Sequence, residues 1–186
     1  EGRGRRFLRE YADAFPAGYR EDYSPRVAAD DVAEFEQLSE DHPLLTRFYH
    51  LPEDADDRLR LKVFHLGGSL PLSDLISKLE NMGLEVVEEQ PHRIQKAGGQ
   101  SVAIHDFLLI YAERIDIAEA GVRFNEAFVR VWTGQVEDDG FNRLVLSAGL
   151  SWRQVTVLRS YARYLQQIRF GFSQAFISDT LVAHSD

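Results

Sequence analysis

Residues 102–112 carry apolar side chains at both parities of a strand: Val102, Ile104, Leu108 and Ile110 on one face, Ala103, Phe107, Leu109 and Tyr111 on the other. Successive side chains of a strand point to opposite faces, so this segment needs cover on both sides and belongs at the centre of a sheet that is itself a middle layer. The neighbouring segments are arranged around that requirement. In 59–66, Leu59, Leu61 and Val63 alternate with Arg60 and Lys62, which predicts one apolar face and one that starts wet. Residues 46–51 are rich in strand formers and are separated from 59–66 by an acidic turn, Glu53 to Asp57, which predicts a hairpin. Residues 84–94 form a further strand. Pro91 has no N–H to donate, which puts that strand at an edge or gives it a bulge.

Helices fall between these strands. Residues 70–82 place Leu72, Leu75, Ile76 and Leu79 on one stripe, with Pro71 in the first turn and Gly83 at the stop. Residues 117–132 repeat the pattern through Ile117, Ala120, Phe124, Phe128 and Val131. Upstream, 7–19 and 27–38 read as two short helices broken by Pro16 and Pro25, the second capped by Asp30 or Asp31. Downstream, 141–146 is a short apolar helical run. Ser151-Trp-Arg-Gln154 fits a capping box opening a long helix with Val155, Leu158, Ala162 and Leu165 on its stripe, which Gly171 ends. Residues 173–183 begin one more helix. The expected organisation is a helical segment over 1–43, a βαβ-type domain over 44–136 and the start of a helical segment over 137–186.

Composition narrows the functional classes. Thirty acids against 21 Lys plus Arg give a net charge of −9, which opposes nonspecific attraction to a phosphate backbone, so no nucleic-acid partner is expected. Arg3, Arg5, Arg6 and Arg9 form the one concentrated basic stretch, read either as a polyanion-binding arm or as the solvated start of a helix. No apolar run approaches the roughly 20 residues that span a bilayer, so no membrane partner is expected. The absence of cysteine excludes a disulfide framework, a thiolate metal site and a cysteine nucleophile, and agrees with a cytoplasmic location. The sequence starts without methionine and reads as an excised piece of a longer chain.

Few residues suggest chemistry. No G-x-G-x-x-G or phosphate-binding loop is present, so no cofactor is expected on these residues. His42, His50, His65, His92, His105 and His184 lack the spacing of a metal site. His105 and Asp106 are adjacent on one strand and so face opposite ways, which argues against an acid/base pair. The acidic runs Glu88-Glu89 and Glu137-Asp-Asp139 read as solvated turns, and Arg153, Arg159, Arg163 and Arg169 as a polar helix face or a contact for an acidic partner. Gly67-Gly68-Ser69 stands between a strand and a helix N-terminus. Such a loop presents backbone N–H groups to a small anion or carboxylate, so it is either an effector loop or an ordinary turn.

Several strings in a fixed order resemble the large bacterial NAD-specific glutamate dehydrogenases: Leu70-Pro-Leu-Ser-Asp74, Leu79-Glu-Asn-Met-Gly-Leu84, Ile104-His-Asp-Phe107, Glu137-Asp-Asp-Gly-Phe-Asn-Arg-Leu-Val-Leu146 and Ala148-Gly-Leu-Ser-Trp-Arg153. The likeness continues through Leu158-Arg-Ser-Tyr-Ala-Arg-Tyr-Leu165 and Phe172-Ser-Gln-Ala-Phe176. It implies an α+β fold: an ACT-like (ferredoxin-like) antiparallel four-stranded sheet with two helices on one face, flanked by N-terminal and C-terminal helices. It also implies a parent enzyme that converts L-glutamate and NAD to 2-oxoglutarate, ammonium and NADH, with its catalytic domain outside this sequence. The present residues would then be a regulatory or scaffolding part whose partners are the rest of the parent chain, its oligomer neighbours and an amino-acid effector. A free-standing amino-acid sensor and a small independent enzyme are the alternatives. One departure stands out, since an ACT domain is βαββαβ and acids and helix follow Trp132 where the fourth strand belongs. The hairpin strand 46–51 is expected to fill the vacant edge, giving the order 46–51, 59–66, 102–112, 84–94.

Overall fold

The computed structural model describes residues 11, 14–95, 99–111 and 115–185. The arginine-rich stretch at Arg3, Arg5, Arg6 and Arg9 lies outside them, as do residues 7–10, 12 and 13 of the helix expected over 7–19. Four strands, β1 (Leu44–Tyr49), β2 (Arg58–Leu66), β3 (Glu85–Gln95) and β4 (Ser101–Ile110), form one sheet in the order β1-β2-β4-β3. Every pairing is antiparallel. This is the order expected from the sequence. No strand follows Trp132 among the described residues, and β1 holds the edge beside β2. Pro91 lies in the edge strand β3, while the register shift of that strand falls at Val86/Glu88 and not at the proline. An edge position alone accommodates the missing N–H.

The doubly apolar strand β4 is covered on both sides. On one face Leu59, Leu61, Val63, Phe107 and Leu109 meet α3 (Leu72–Asn81) and α4 (Ile117–Trp132) through Leu75, Leu79, Phe124 and Phe128. Burying each such side chain contributes roughly 1.5–3 kcal/mol. Gly83, at φ +87°, turns the chain out of α3, where the Leu84 N–H donates to the Leu79 carbonyl at 3.0 Å. Asp116 caps α4 by accepting from the N–H groups of Ala118 and Glu119.

On the other face Phe64, Ile94, Val102 and Ile104 pack against α1 (Ala17–Asp22) and α2 (Pro25–Phe35) through Tyr19, Val32 and Phe35. The cap of α2 is Ser24 with Pro25 at the first helical position, not Asp30 or Asp31. Asp31 lies inside the helix and is fully buried.

C-terminal to the sheet, a 3₁₀ turn (Gly140–Arg143), α5 (Leu144–Ser147), α6 (Trp152–Gln167) and α7 (Gln174–Ala183) extend the first core, into which Phe141, Leu144, Val145, Val155 and Ala162 are inserted. Ser151 and Gln154 form the reciprocal capping box. The helix ends at Gln167, before Gly171. Arg169 takes the left-handed position (φ 60°) that a glycine usually fills, and the Phe170 N–H closes the end on the Leu165 carbonyl at 2.9 Å.

Candidate functional site

The Gly67-Gly68-Ser69 loop follows β2 and is tied down as a turn. The Gly67 N–H donates to the Ser101 carbonyl at 2.7 Å, and the Gly67 carbonyl accepts from Ser101 Oγ at 3.0 Å. Gly68 O lies 2.8 Å from His65 Nδ1. Positive φ belongs to Gly67 (+101°), not to Gly68, and a Cβ on Gly68 would meet only the tip of Arg93 at 3.8 Å. The helix starts two residues beyond Leu70, whose N–H donates to His105 Nε2 at 3.2 Å. His105 Nδ1 sits 2.8 Å from Glu89 Oε1. A ring whose Nε2 accepts carries its proton on Nδ1, so His105 donates to Glu89 and tethers the loop exit to β3. His105 and Asp106 do lie on opposite faces, and Glu89 is held by His105 instead of forming a solvated turn.

The densest polar arrangement is under α1 and α2, where the residues were expected to be wet or capping. Lys62, on the face of β2 that faces these helices, is fully buried. Its Nζ lies 2.6 Å from Asp31 Oδ2 and 3.8 Å from Asp106 Oδ2. It also sits 4.0 Å from the centre of the Tyr23 ring. Tyr19 donates to Asp31 Oδ2 at 2.5 Å; Tyr23 and Tyr49 donate to Asp106 Oδ2 at 2.5 and 2.6 Å. Arg47 donates to the other oxygen of Asp31 at 2.7 Å. Burial, with Asp106 beside them, raises the pKa of Tyr23 and Tyr49, and burial with Asp31 does the same to Tyr19, so all three stay hydrogen-bond donors. Asp106 is itself pushed up by desolvation, against the pull of Lys62 and the two tyrosines. An amine enclosed in this way presents no open face to a reactant. The cluster is a fastener, drawing on α1, α2, β1, β2 and β4 together.

A second charged centre organises the C-terminal helices. Arg159 of α6, 3% exposed, donates from Nε and NH2 to the two oxygens of Asp139 at 2.7 and 2.9 Å and from NH2 to Asn142 Oδ1 at 2.9 Å. Arg163 reaches Glu137 at 2.7 Å. The acidic run 137–139, expected to be solvated, is thus the partner of two of the arginines on the long helix. Asp139 also caps the 3₁₀ turn through the Phe141 N–H.

Sequence comparison matches three family models along the chain. Residues 43–122 match the model for the glutamate dehydrogenase ACT3 domain, 1–38 that for helical motif 2 and 136–186 that for helical motif 3. The NAD-specific glutamate dehydrogenase of Halomonas elongata is 44% identical over 181 residues, covering 96% of this chain. That of Pseudomonas aeruginosa is 43% identical over 188 residues and covers all of it. The chain belongs to the large bacterial NAD-specific glutamate dehydrogenase family. The Mycobacterium tuberculosis member is more distant, at 35% identity over 94% of this chain. The chain spans only 11–12% of the length of these dehydrogenases.

Within the family's own division, the Lys62 cluster joins helical motif 2, which supplies Tyr19, Tyr23 and Asp31, to the ACT3 sheet, which supplies Tyr49, Lys62 and Asp106. Sequence reasoning missed this fastener. The available signal was a lysine and an aspartate, Lys62 and Asp106, at strand positions whose same-face neighbours Phe64, Ile104 and Leu108 are apolar. His92 borders the cluster with its side chain 8% exposed, edge-on to the rings of Tyr19 and Tyr23. Desolvation lowers its pKa below the ordinary histidine value, against the pull of Asp22, Asp106 and Asp31. A depressed folded-state pKa means that unfolding takes up a proton below about pH 6.5. The stability His92 contributes is therefore present above that pH and lost as pH falls beneath it. Urea melts between pH 7.5 and 5 should show His92→Phe losing less stability on acidification than the parent sequence; parallel losses would remove His92 as the cause.

Proposed function

We propose that this chain is a non-catalytic regulatory and scaffolding part of an NAD-specific glutamate dehydrogenase. The parent reaction, L-glutamate with NAD and water giving 2-oxoglutarate, ammonium and NADH, takes place on other residues of the parent. The observation that carries the reading is the sheet itself. Nucleotide-binding α/β units seat the dinucleotide at a crevice where parallel strands diverge. Here all pairings among the described residues are antiparallel, and helices cover both faces. The proposed partners are the rest of the dehydrogenase, its oligomer neighbours in the cytoplasm and an amino-acid effector, with NAD the cofactor of the parent. Incubating this polypeptide with glutamate and NAD should give no absorbance of NADH above a heat-killed control. Measurable turnover overturns the proposal.

An effector role for Gly67-Gly68-Ser69 can be separated from a turn role, because the two glycines differ. Gly68→Val adds its branch next to the tip of Arg93 without a positive φ to strain, so the fold should tolerate it. Gly67→Val strains a left-handed position, at a cost on the order of 1–3 kcal/mol. In the full-length enzyme Gly68→Val should shift the response to added amino acids while basal turnover is kept, if a carboxylate approaches the loop backbone. An unchanged amino-acid response leaves the loop a turn.

A further inference from the structure

Helix α6 carries two apolar stripes, and the core uses one. Val155, Leu158 and Ala162 point inward with Arg159. Val157, Tyr161, Tyr164 and Ile168 recur at spacings of four, three and four on the opposite side, each 52–65% exposed. That 4-3-4 repeat is the seam spacing by which one helix seats another. The stripe continues into Phe170, Phe172 and Phe176, each about half exposed: Phe170 meets Phe172 edge-on at 5.2 Å between ring centres, and Phe172 stacks on Phe176 at 4.7 Å. Phe176 lies in the first turn of α7, a helix whose other large apolar residues, Ile177, Leu181 and Val182, already pack on the core. A helix apolar on both sides is a buried helix, and a contiguous exposed patch of this kind marks an interaction surface.

Charge indicates the occupant. No acidic residue occurs between Asp139 and Asp179, while arginine occurs at 143, 153, 159, 163 and 169. Arg143, Arg159 and Arg163 are engaged with Asp179, Asp139 and Glu137. Arg153 and Arg169 bracket the two ends of the stripe. Two copies paired antiparallel through this face would bring Arg153 of one against Arg169 of the other, a like-charge approach that opposes association. A helix with its own apolar seam and acidic residues beside it meets no such opposition. The greater part of each related dehydrogenase lies outside the stretch matched here, so the parent has ample chain to supply one.

We propose that the face formed by Val157, Tyr161, Tyr164, Ile168 and the Phe170/Phe172/Phe176 cluster seats an amphipathic, acid-flanked helix from the remaining dehydrogenase polypeptide. This rests on the chain being part of such an enzyme. Hydroxyl-radical footprinting of the full-length enzyme should show Tyr161, Tyr164 and Phe176 oxidised at least fivefold more slowly than their intrinsic reactivity and their 65%, 58% and 51% exposure here would give. A benzoylphenylalanine replacing Tyr161 in the full-length enzyme should crosslink to a peptide outside these residues, bearing an apolar seam with neighbouring Asp or Glu. Oxidation at the rates that exposure gives overturns the proposal, as does a crosslink to residues 140–183 of another copy or to a peptide without acids. Glutamate-dependent NAD reduction by the same preparation keeps the two readings apart. An active enzyme with an accessible stripe defeats only the docking face; an inactive one with a protected stripe defeats only the assignment of the parent reaction.

Discussion

Replacing Lys62 by methionine should destabilise the chain by about 3–5 kcal/mol, the range for removing one partner of a buried ion pair. The side chain is fully buried and its Nζ is the cation between Asp31 and Asp106, so no solvent replaces it when it is lost. Arg47 still holds one oxygen of Asp31, but Asp106 keeps only the hydroxyls of Tyr23 and Tyr49, and its Oδ1 already lacks a partner. An uncompensated carboxylate in that position is the origin of the expected loss. The effect should appear as a lower urea midpoint, with α1 and α2 becoming more open to proteolysis than the sheet because the fastener joins those elements. Replacing Asp31, Lys62 and Asp106 together by leucine and methionine should restore much of the loss, since a well-packed apolar substitute for a buried charged set is often neutral or stabilising. A Lys62→Met midpoint within about 0.5 kcal/mol of the parent would show that the cluster is not the fastener described.

Replacing Arg159 by methionine should cost about 2–3 kcal/mol, less than Lys62 because its main partner Asp139 is 30% exposed and water can take over part of its hydrogen bonding. The methionine keeps the apolar stem against Phe141, whose ring lies 5.8 Å from the guanidinium, so the loss isolates the fork from the packing. Asn142 loses a donor to its Oδ1 in a site where it is 2% exposed. Amide exchange should therefore accelerate through the 3₁₀ turn and α6 while β2 and β4 stay protected. Arg163→Met is the control. Its pair with Glu137 is half exposed at both ends, so it should change stability little. Equal effects of the two replacements would remove the distinction between a buried fork and a surface pair.

Legibility in the sequence followed the physics of each feature. The sheet order was readable because β4 is apolar on both faces, β3 holds a proline that an edge tolerates, and a short acidic turn leaves β1 and β2 nowhere to go but side by side. Helix ends with side-chain or glycine stops, at Ser151 and Gly83, were readable for the same local reason, whereas the end of α6 rests on Arg169 in a conformation that no residue type announces. Asp31 looked like a cap because aspartate before an apolar run usually is one. Ser24 and Pro25 start the helix about two turns earlier, which carries Asp31 round to the sheet.

What the sequence determined by itself is which side of each strand and helix turns inward, because periodicities of two and 3.6 are properties of a single segment. It also determined the family, because the strings that carry the resemblance keep their order along the chain. The tertiary structure alone decided which charges are hidden and what answers them. Lys62 and Arg60 look alike in a strand that alternates, yet Arg60 pairs with Asp54 six residues away at the rim, and Lys62 finds Asp31 thirty-one residues upstream under a helix. The fate of a polar residue depends on what lands on top of it, and that is fixed by the packing of α1 and α2 onto the sheet, an event between distant segments that no local pattern records.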